Sequence, residues 1–171
     1  MTEHGRAQAA ALARHLANCR FDRIYSSNLR RALETALAIA QKHGLQPVTD
    51  GRLREFSFGA WEGLTWAEIL AARPEMGEMD YRAAHRYAPV GGEDFSAVCA
   101  RVGPFYDDVL ASGLQRIAVV THAGVLHATL GLFELAPAAD EPRVNFSPAS
   151  ITRVVREHGA WRLIEGPTAL Q

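Results

Sequence analysis

Two short segments place polar groups where an apolar strand is predicted to give way to a helix. In "VVTHAG", His122 and the backbone N–H of Ala123 stand at such a junction, and in "YSSNLRRA" Ser27, Asn28 and Arg31 do. In an open parallel sheet the carboxyl ends of the strands meet at one edge, so we expect the two segments to lie together. Helix N-termini and guanidinium groups both bind oxyanions. The pattern therefore predicts a phosphate-binding site formed by these five residues.

Each of these residues also has a purely structural interpretation. A histidine such as His122 at a strand end commonly packs or caps, and an arginine in the first turn of a helix is usually solvated. Arg31 in that position opposes the helix dipole, which favours a compensating anion beside it. Glu55 lies in "LREFSFGAWEGL", a loop-like segment rich in glycine and aromatic residues. Glu55 could simply be exposed, whereas an aromatic surrounding would raise its pKa and suit it to donate a proton.

Metal and serine-hydrolase chemistry are not indicated. His122 and His127 are five positions apart, which places them about 140° apart around a helix rather than on one face. No G-x-S-x-G segment accompanies the serines, so the strand-to-helix elbow of serine hydrolases is not predicted. We expect no metal site.

The composition is that of an ordinary globular domain. The chain has 171 residues, a net charge of −1 and no block of like charges, so nucleic acid and membrane surfaces are not expected partners. No apolar run approaches the ~20 residues of a membrane-spanning helix, and the N-terminal segment lacks the apolar core of a signal peptide. Cys19 and Cys99 lie far apart in predicted helices, which favours a reducing compartment. We expect one cytoplasmic domain.

Helical and strand patterns alternate along the chain. One predicted helix begins at Asn28 as its N-cap, and another begins at Thr65, which has a capping-box partner in Glu68. An apolar run over 116–121 is typical of a strand buried on both faces of a parallel sheet. The other predicted elements are a helix after Thr2, a strand over 21–27, helices over 93–111 and 124–135, and a C-terminal hairpin that turns at His158 and Gly159. This alternation indicates an α/β sheet covered on both faces.

Taken together, these segments resemble the histidine phosphatase superfamily, which has the phosphoglycerate mutase-like fold. "SSNLRRALETA" resembles the family's SS-x-L-x-R-A-x-x-T-A segment, and "LREFSFGAWEGL" resembles its L-x-E-x-x-F-G-x-W-E-G-L segment. "VVTHAGVL" resembles the strand that bears the second active-site histidine, and "GGEDFSAVCARV" resembles the G-G-E-S helix start. The resemblance covers nearly the whole chain in the right order. It implies a three-layer α/β/α sandwich with a mostly parallel sheet.

The resemblance also implies roles for three residues. Arg31 matches the arginine that binds the phosphate, Glu55 matches the proton donor, and His122 matches the second active-site histidine. The family forms a phosphohistidine intermediate on a histidine within an R-H-G segment and requires no metal or other cofactor. The expected partner is then a small phosphorylated substrate, and a homodimer is left open.

The R-H-G segment is absent from this sequence. The first His-Gly pair, His4-Gly5, lies in "MTEHGRAQAA", which resembles the family's L-T-x-x-G-R-x-Q-A segment beyond the nucleophile strand. We therefore expect residues 1–171 to be an N-terminally truncated domain that lacks the first strand and is inactive in this form. Three interpretations follow: Met1 is an internal or misassigned start, the chain binds phosphate esters without turnover, or it is a fragment without function. We favour the first.

Two features bear on the substrate. Residues 62–100 resemble a helical lid insertion that is lacking in the smallest family members, which act on phosphohistidine proteins. Mutases carry E-R-H-Y-G where this chain has "EFSFGAWEG", so a phosphatase is favoured over a phosphoglycerate mutase-type enzyme. Sugar phosphates, phosphoglycerates and α-ribazole phosphate are all candidate substrates, and the sequence does not choose among them.

Overall fold

The residues described by the computed structural model, 1–73, 89–136 and 144–169, form five helices and five strands. The helices are α1 (Glu3–His15), α2 (Arg30–His43), α3 (Trp66–Ala72), α4 (Phe95–Ala111) and α5 (Ala123–Leu132). The strands are β1 (Arg23–Ser27), β2 (Val48–Asp50), β3 (Ile117–Val120), β4 (Ser150–Glu157) and β5 (Ala160–Ala169), and 3₁₀ turns cover Gly51–Leu53 and Gly59–Trp61. None of the helices in these ranges is long and apolar enough to cross a membrane.

The strands form two sheets. β1 is the central strand of a parallel sheet in the order β2-β1-β3, in which Tyr25 lies opposite Val48 on one side and Val119 on the other. Ser26 of β1 lies opposite Val120 of β3, so the carboxyl ends of these two strands are neighbours. β4 and β5 form an antiparallel hairpin, and in the described residues neither strand shares a hydrogen-bonded ladder with β3.

Apolar side chains cover both faces of the parallel sheet. On one face α4 and α5 form a core around the fully buried Phe105, and Val119 of β3 packs against it. On the other face α1 and α2 form a second core around Ile39, and Val120 packs there. Successive residues of a strand point to opposite faces, which is why one short strand serves both cores. The result is the layered α/β/α arrangement that the sequence predicts.

The β4–β5 hairpin contributes to the same two cores. Val154 and Trp161 pack in the core beneath α4 and α5, and Ile151 packs in the core beneath α1 and α2. β3 and β4 therefore extend the same layer of the molecule, although they do not pair with each other in the described chain.

Three local predictions are wrong. Cys19 lies beyond the end of α1 at His15 and not in a helix. Asn28 is not the N-cap of α2: the cap residue is Leu29, without a side-chain hydrogen bond, and the Asn28 carboxamide oxygen instead accepts from Arg54 Nη1 at 3.1 Å. β3 is not fully buried, since all four of its residues are partly exposed, because its edge away from β1 has no strand partner in the described chain. Thr65 and Glu68, by contrast, do form the predicted capping box.

The lid predicted over 62–100 extends outside the described residues and stays a prediction, as does the single domain over 1–171. In its described part, Ile69 of α3 packs with Trp61 in a small cluster of its own. The loop that precedes this cluster docks on the chain just before α4. The N–H of Ala60 donates to the carbonyl of Val90 at 2.9 Å there.

Gly59 makes this docking feasible, because its φ is +49° and an added Cβ would overlap the backbone of Val90 and Gly92. We expect Gly59→Ala to lower the free energy of unfolding by more than the ~1–2 kcal/mol that a left-handed φ alone costs. Gly44→Ala is the matched control, since Gly44 has a φ of +63° and open space around it. Urea unfolding measures both variants, and equal losses would contradict the close contact.

Candidate functional site

His122 joins the ends of β1 and β3. It occupies the N-cap position of α5 and is 8% exposed. Its Nδ1 accepts from Arg31 Nε at 3.3 Å, and its Nε2 lies 2.9 Å from Ser27 Oγ. Because a guanidinium only donates, Nδ1 is unprotonated and the neutral ring carries its proton on Nε2. Three predicted residues from two strand ends thus form one hydrogen-bonded group.

The surroundings keep the His122 imidazole neutral. Burial is the largest cause that lowers the pKa of His122 to about 4, and the positive charges of Arg31, Arg101 and Arg54 act in the same direction. At neutral pH, His122 therefore presents an uncharged ring with a hydrogen-bond donor at Nε2.

Glu55 approaches the start of α5 from the loop after the first 3₁₀ turn. Its Oε1 accepts from the N–H of Phe56 at 3.0 Å, and its Oε2 lies 3.5 Å from the N–H of Gly124. Gly124 leaves room for the carboxyl, since an added Cβ would lie 2.5 Å from Oε1 and overlap the Phe56 ring. Burial raises the pKa of Glu55, while the two hydrogen bonds and the charges of Arg31 and Arg101 oppose that rise. A carboxyl with a raised pKa is suited to general acid chemistry.

The other predicted residues lie beside this group. Ser27 is fully buried, and its Oγ also accepts from the N–H of Leu29 at 3.2 Å, which fixes the hydroxyl against His122. Asn28 follows it on the surface. Ala123 begins α5, where the first backbone N–H groups have no acceptor within the helix. The structure thus places Ser27 in the hydrogen-bonded group of Arg31 and His122. Asn28 and Ala123 are the next residues of the chain after Ser27 and His122.

A cavity of about 510 Å³ opens beside Arg31 and Glu55. Its charged lining is three arginines and three glutamates, namely Arg31, Arg54, Arg101, Glu55, Glu62 and Glu93. Arg101 is paired with Glu93, whereas no carboxylate in the described part of the chain forms an ion pair with Arg31 or Arg54. Two guanidinium groups that line the cavity without an ion-pair partner in the described residues suit an anionic ligand.

Three functional candidates escape the sequence reasoning: Arg54, Glu93 and Arg101. Arg54 adjoins Glu55 in a segment already singled out, so its position was a usable signal. Glu93 and Arg101 both lie in "GGEDFSAVCARV", which resembles the G-G-E-S helix start, so the segment was a signal, but their contacts with the Glu55 loop depend on the tertiary fold. Among the described residues, no group of three His, Cys, Asp or Glu side chains is arranged to hold a metal ion.

Comparison with known sequences identifies relatives of this chain. Residues 1–166 match the profile described as the histidine phosphatase superfamily (branch 1). The chain is 34% identical over 151 residues to a glucosyl-3-phosphoglycerate phosphatase of Mycobacterium tuberculosis, and the match covers 83% of this chain and 67% of that protein.

Solved structures agree with the sequence match. A mycobacterial glucosyl-3-phosphoglycerate phosphatase in complex with inorganic phosphate has a TM-score of 0.87 and 33% identity, over 99% of this chain and 87% of that one. The α-ribazole phosphatase of Shigella flexneri has a TM-score of 0.80 and 25% identity, over 98% and 84% of the respective chains. The predicted α/β fold with a parallel sheet is confirmed, and the chain belongs to the histidine phosphatase superfamily.

Proposed function

We propose that the protein is a phosphomonoesterase that cleaves a small phosphorylated metabolite through a phosphohistidine intermediate. The observation that carries this proposal is the convergence at one end of the parallel sheet of a neutral His122, a largely buried Glu55, and Arg31, which has no carboxylate partner among the described residues. The phosphatase names of the relatives support the same class of reaction.

Phosphate binding uses groups that are already oriented. The phosphate dianion bonds the terminal amino groups of the Arg31 guanidinium, whose Nε is held by His122 Nδ1, and Ser27 in turn holds the His122 ring through Nε2. The N–H of Ala123 at the start of α5 adds a further donor. Fixed donors of this kind stabilise the negative charge that spreads over the equatorial oxygens during phosphoryl transfer.

Glu55 moves the proton in both halves of the reaction. When a histidine nitrogen attacks phosphorus, the P–O bond to the leaving group breaks and the Glu55 carboxyl passes its proton to that oxygen. Water then attacks the phosphohistidine, the Glu55 carboxylate accepts a proton from it, and orthophosphate and free histidine result. The raised pKa of Glu55 keeps a fraction of the carboxyl protonated closer to neutral pH.

The attacking histidine is not supplied by an R-H-G segment, because the 171 residues contain none. We place this histidine on a strand that precedes Met1 and lies between β3 and β4. Two observations support this: β3 and β4 pack on the same two cores without a shared ladder in the described chain, and Thr152 Oγ1 on β4 is buried without a hydrogen-bond partner among the described residues. The 171-residue form then binds phosphate esters without turning them over.

A phosphate-ester-binding protein without catalysis is the second candidate, and the absence of R-H-G is the observation that favours it. A phosphoglycerate mutase-type activity has no comparable support. The charged lining of the cavity favours a polar metabolite as the remainder of the substrate. Sugar phosphates, phosphoglycerates and α-ribazole phosphate all satisfy that description.

Turnover separates the two candidates. We expect a form extended through the upstream reading frame to hydrolyse phosphate monoesters and the 171-residue form to stay near background, because the latter lacks the nucleophile. Phosphate release from a panel of the candidate substrates measures both forms. Comparable turnover by the 171-residue form, or an upstream frame that stops without encoding R-H-G, would contradict the proposed missing strand.

Arg31→Ala should weaken orthophosphate binding to the 171-residue chain by about tenfold or more, since a hydrogen bond to a charged group contributes about 1.5–3 kcal/mol. Arg30→Ala is the matched control, because Arg30 is the adjacent residue of α2, its side chain is 88% exposed, and it pairs with Glu34 instead. Isothermal titration calorimetry measures both affinities. Equal losses would show that net charge, and not the position of Arg31, holds the anion.

Because the folded protein keeps His122 neutral, the free energy of unfolding should depend on pH in a direction that can be derived. Its folded pKa of about 4 lies below the ordinary value of 6.5, so the unfolded chain takes up this proton first as the pH falls. The free energy of unfolding should therefore decrease between pH 6.5 and pH 4, by up to about 3 kcal/mol. Urea unfolding across this range should show a shallower slope for His122→Gln, which cannot titrate. An unchanged slope would contradict the assignment.

A further inference from the structure

We propose that the Glu93–Arg101 ion pair is a clamp that positions the Glu55 carboxyl for proton transfer, which makes Arg101 a positioning residue. The clamp follows from contacts in the structure, and its catalytic purpose rests on the proposed phosphatase function.

Arg101 reaches the Glu55 loop from α4. Its Nε and Nη2 donate to the two carboxylate oxygens of Glu93 at 2.6 and 2.8 Å. Its Nη1 donates to the carbonyl of Arg52 at 2.6 Å, and Nη2 also contacts the carbonyl of Glu55 at 3.3 Å. The planar guanidinium holds these donors in a fixed relation to one another. The Arg101 side chain therefore holds the loop backbone at two positions, Arg52 and Glu55.

Glu93 fixes the loop on the other side of Glu55. Its Oε2 accepts from the N–H of Ser57 at 3.0 Å, and its own N–H donates to the carbonyl of Ser57 at 2.8 Å. The ion pair thus holds the loop backbone at residues 52, 55 and 57, which bracket the proton donor. Both partners are largely shielded from water, with side chains 21% and 23% exposed, so the pair is less screened than a surface salt bridge.

The backbone of Glu55 requires this support because little space is available for its carboxyl. The carboxyl rests against Gly124, where an added Cβ would displace the carboxyl and the Phe56 ring. A displacement of about 1 Å in a reacting group can cost a large part of its catalytic effect. The charges that act on the Glu55 carboxyl are those of Arg31 from α2 and Arg101 from α4. The other charged residues that line the same cavity are Arg54, Glu62 and Glu93.

Position and charge predict different outcomes for Arg101→Lys. If Arg101 acts on Glu55 only through its positive charge, a lysine leaves the pKa of Glu55 unchanged. If Arg101 is a clamp, the single ammonium group of lysine cannot replace the several hydrogen bonds of the planar guanidinium. The loop then opens to water, and the pKa of Glu55 falls toward its ordinary value because the carboxyl is less buried.

The test is a pH titration of the Glu55 carboxyl by ¹³C NMR in the full 171-residue chain, which needs no turnover. Arg52→Lys is the matched control, because Arg52 also joins this loop to α4, through Asp108 at 2.7 Å, without holding Glu55. We expect a lower pKa of Glu55 in Arg101→Lys and no change in Arg52→Lys. No shift in Arg101→Lys, or the same shift in both variants, would overturn the clamp. If Arg101→Lys does not fold, Glu93→Gln serves in its place, and no shift there would also overturn it.

A second readout connects the clamp to catalysis in the extended form. In a single turnover, Arg101→Lys should slow release of the alcohol from an alkyl phosphate about tenfold or more and leave release of an acidic phenol from an aryl phosphate nearly unchanged, because in this first step only the alkoxide needs a proton as it leaves. Equal slowing of both substrates would overturn a role through Glu55. Inactivity of the extended form would overturn the proposed function, while the NMR titration would still decide the clamp.

Discussion

The hydrogen bond from Arg31 to His122 is the contact on which the site depends. It joins residues that are 91 positions apart, one in the first turn of α2 and the other just before α5. It can form because β1 and β3 pair in parallel, with Ser26 beside Val120, so that both strand ends reach the same edge. A guanidinium bonds an imidazole nitrogen only when that nitrogen is unprotonated. Burial and nearby arginines keep the imidazole neutral. The strand pairing therefore brings the two side chains together, and the neutral ring allows them to form the hydrogen bond.

Charge around the cavity is unequally compensated, and this is what suits it to an anion. Arg101 is matched by the carboxylate of Glu93, whereas Arg31 bonds a neutral ring and has no carboxylate partner in the described chain. Glu55 is close enough for its pKa to respond to Arg31, but its carboxyl is directed to backbone N–H groups. Arg31 is exposed and has no carboxylate partner among the described residues to give up, so its guanidinium is available to an incoming phosphate.

The sequence predicts those features whose determinants are local and misses those that depend on tertiary contacts. The capping box of Thr65 and Glu68 needs only residues within one helical turn, and the polar strand ends follow from the order of apolar and polar residues. Asn28 has the right residue type for a cap, but Arg54 binds its side chain from a distant loop, and this contact prevails. The bonds of Arg101 reach carbonyls 46 and 49 positions away. No pattern of spacing encodes such a contact before the fold is known.

The strand proposed above would account for both the exposure of β3 and the lack of an R-H-G segment in the 171 residues. Val119 packs on one core and Val120 on the other, so both faces of β3 are covered, yet every residue of the strand is partly exposed. The exposure therefore arises at its edge, where unpaired backbone groups would accept another strand. A strand added there would pair with β3 on one side and β4 on the other. If it ran parallel to β3, its carboxyl end would emerge beside His122, where a histidine could attack a phosphate held by Arg31.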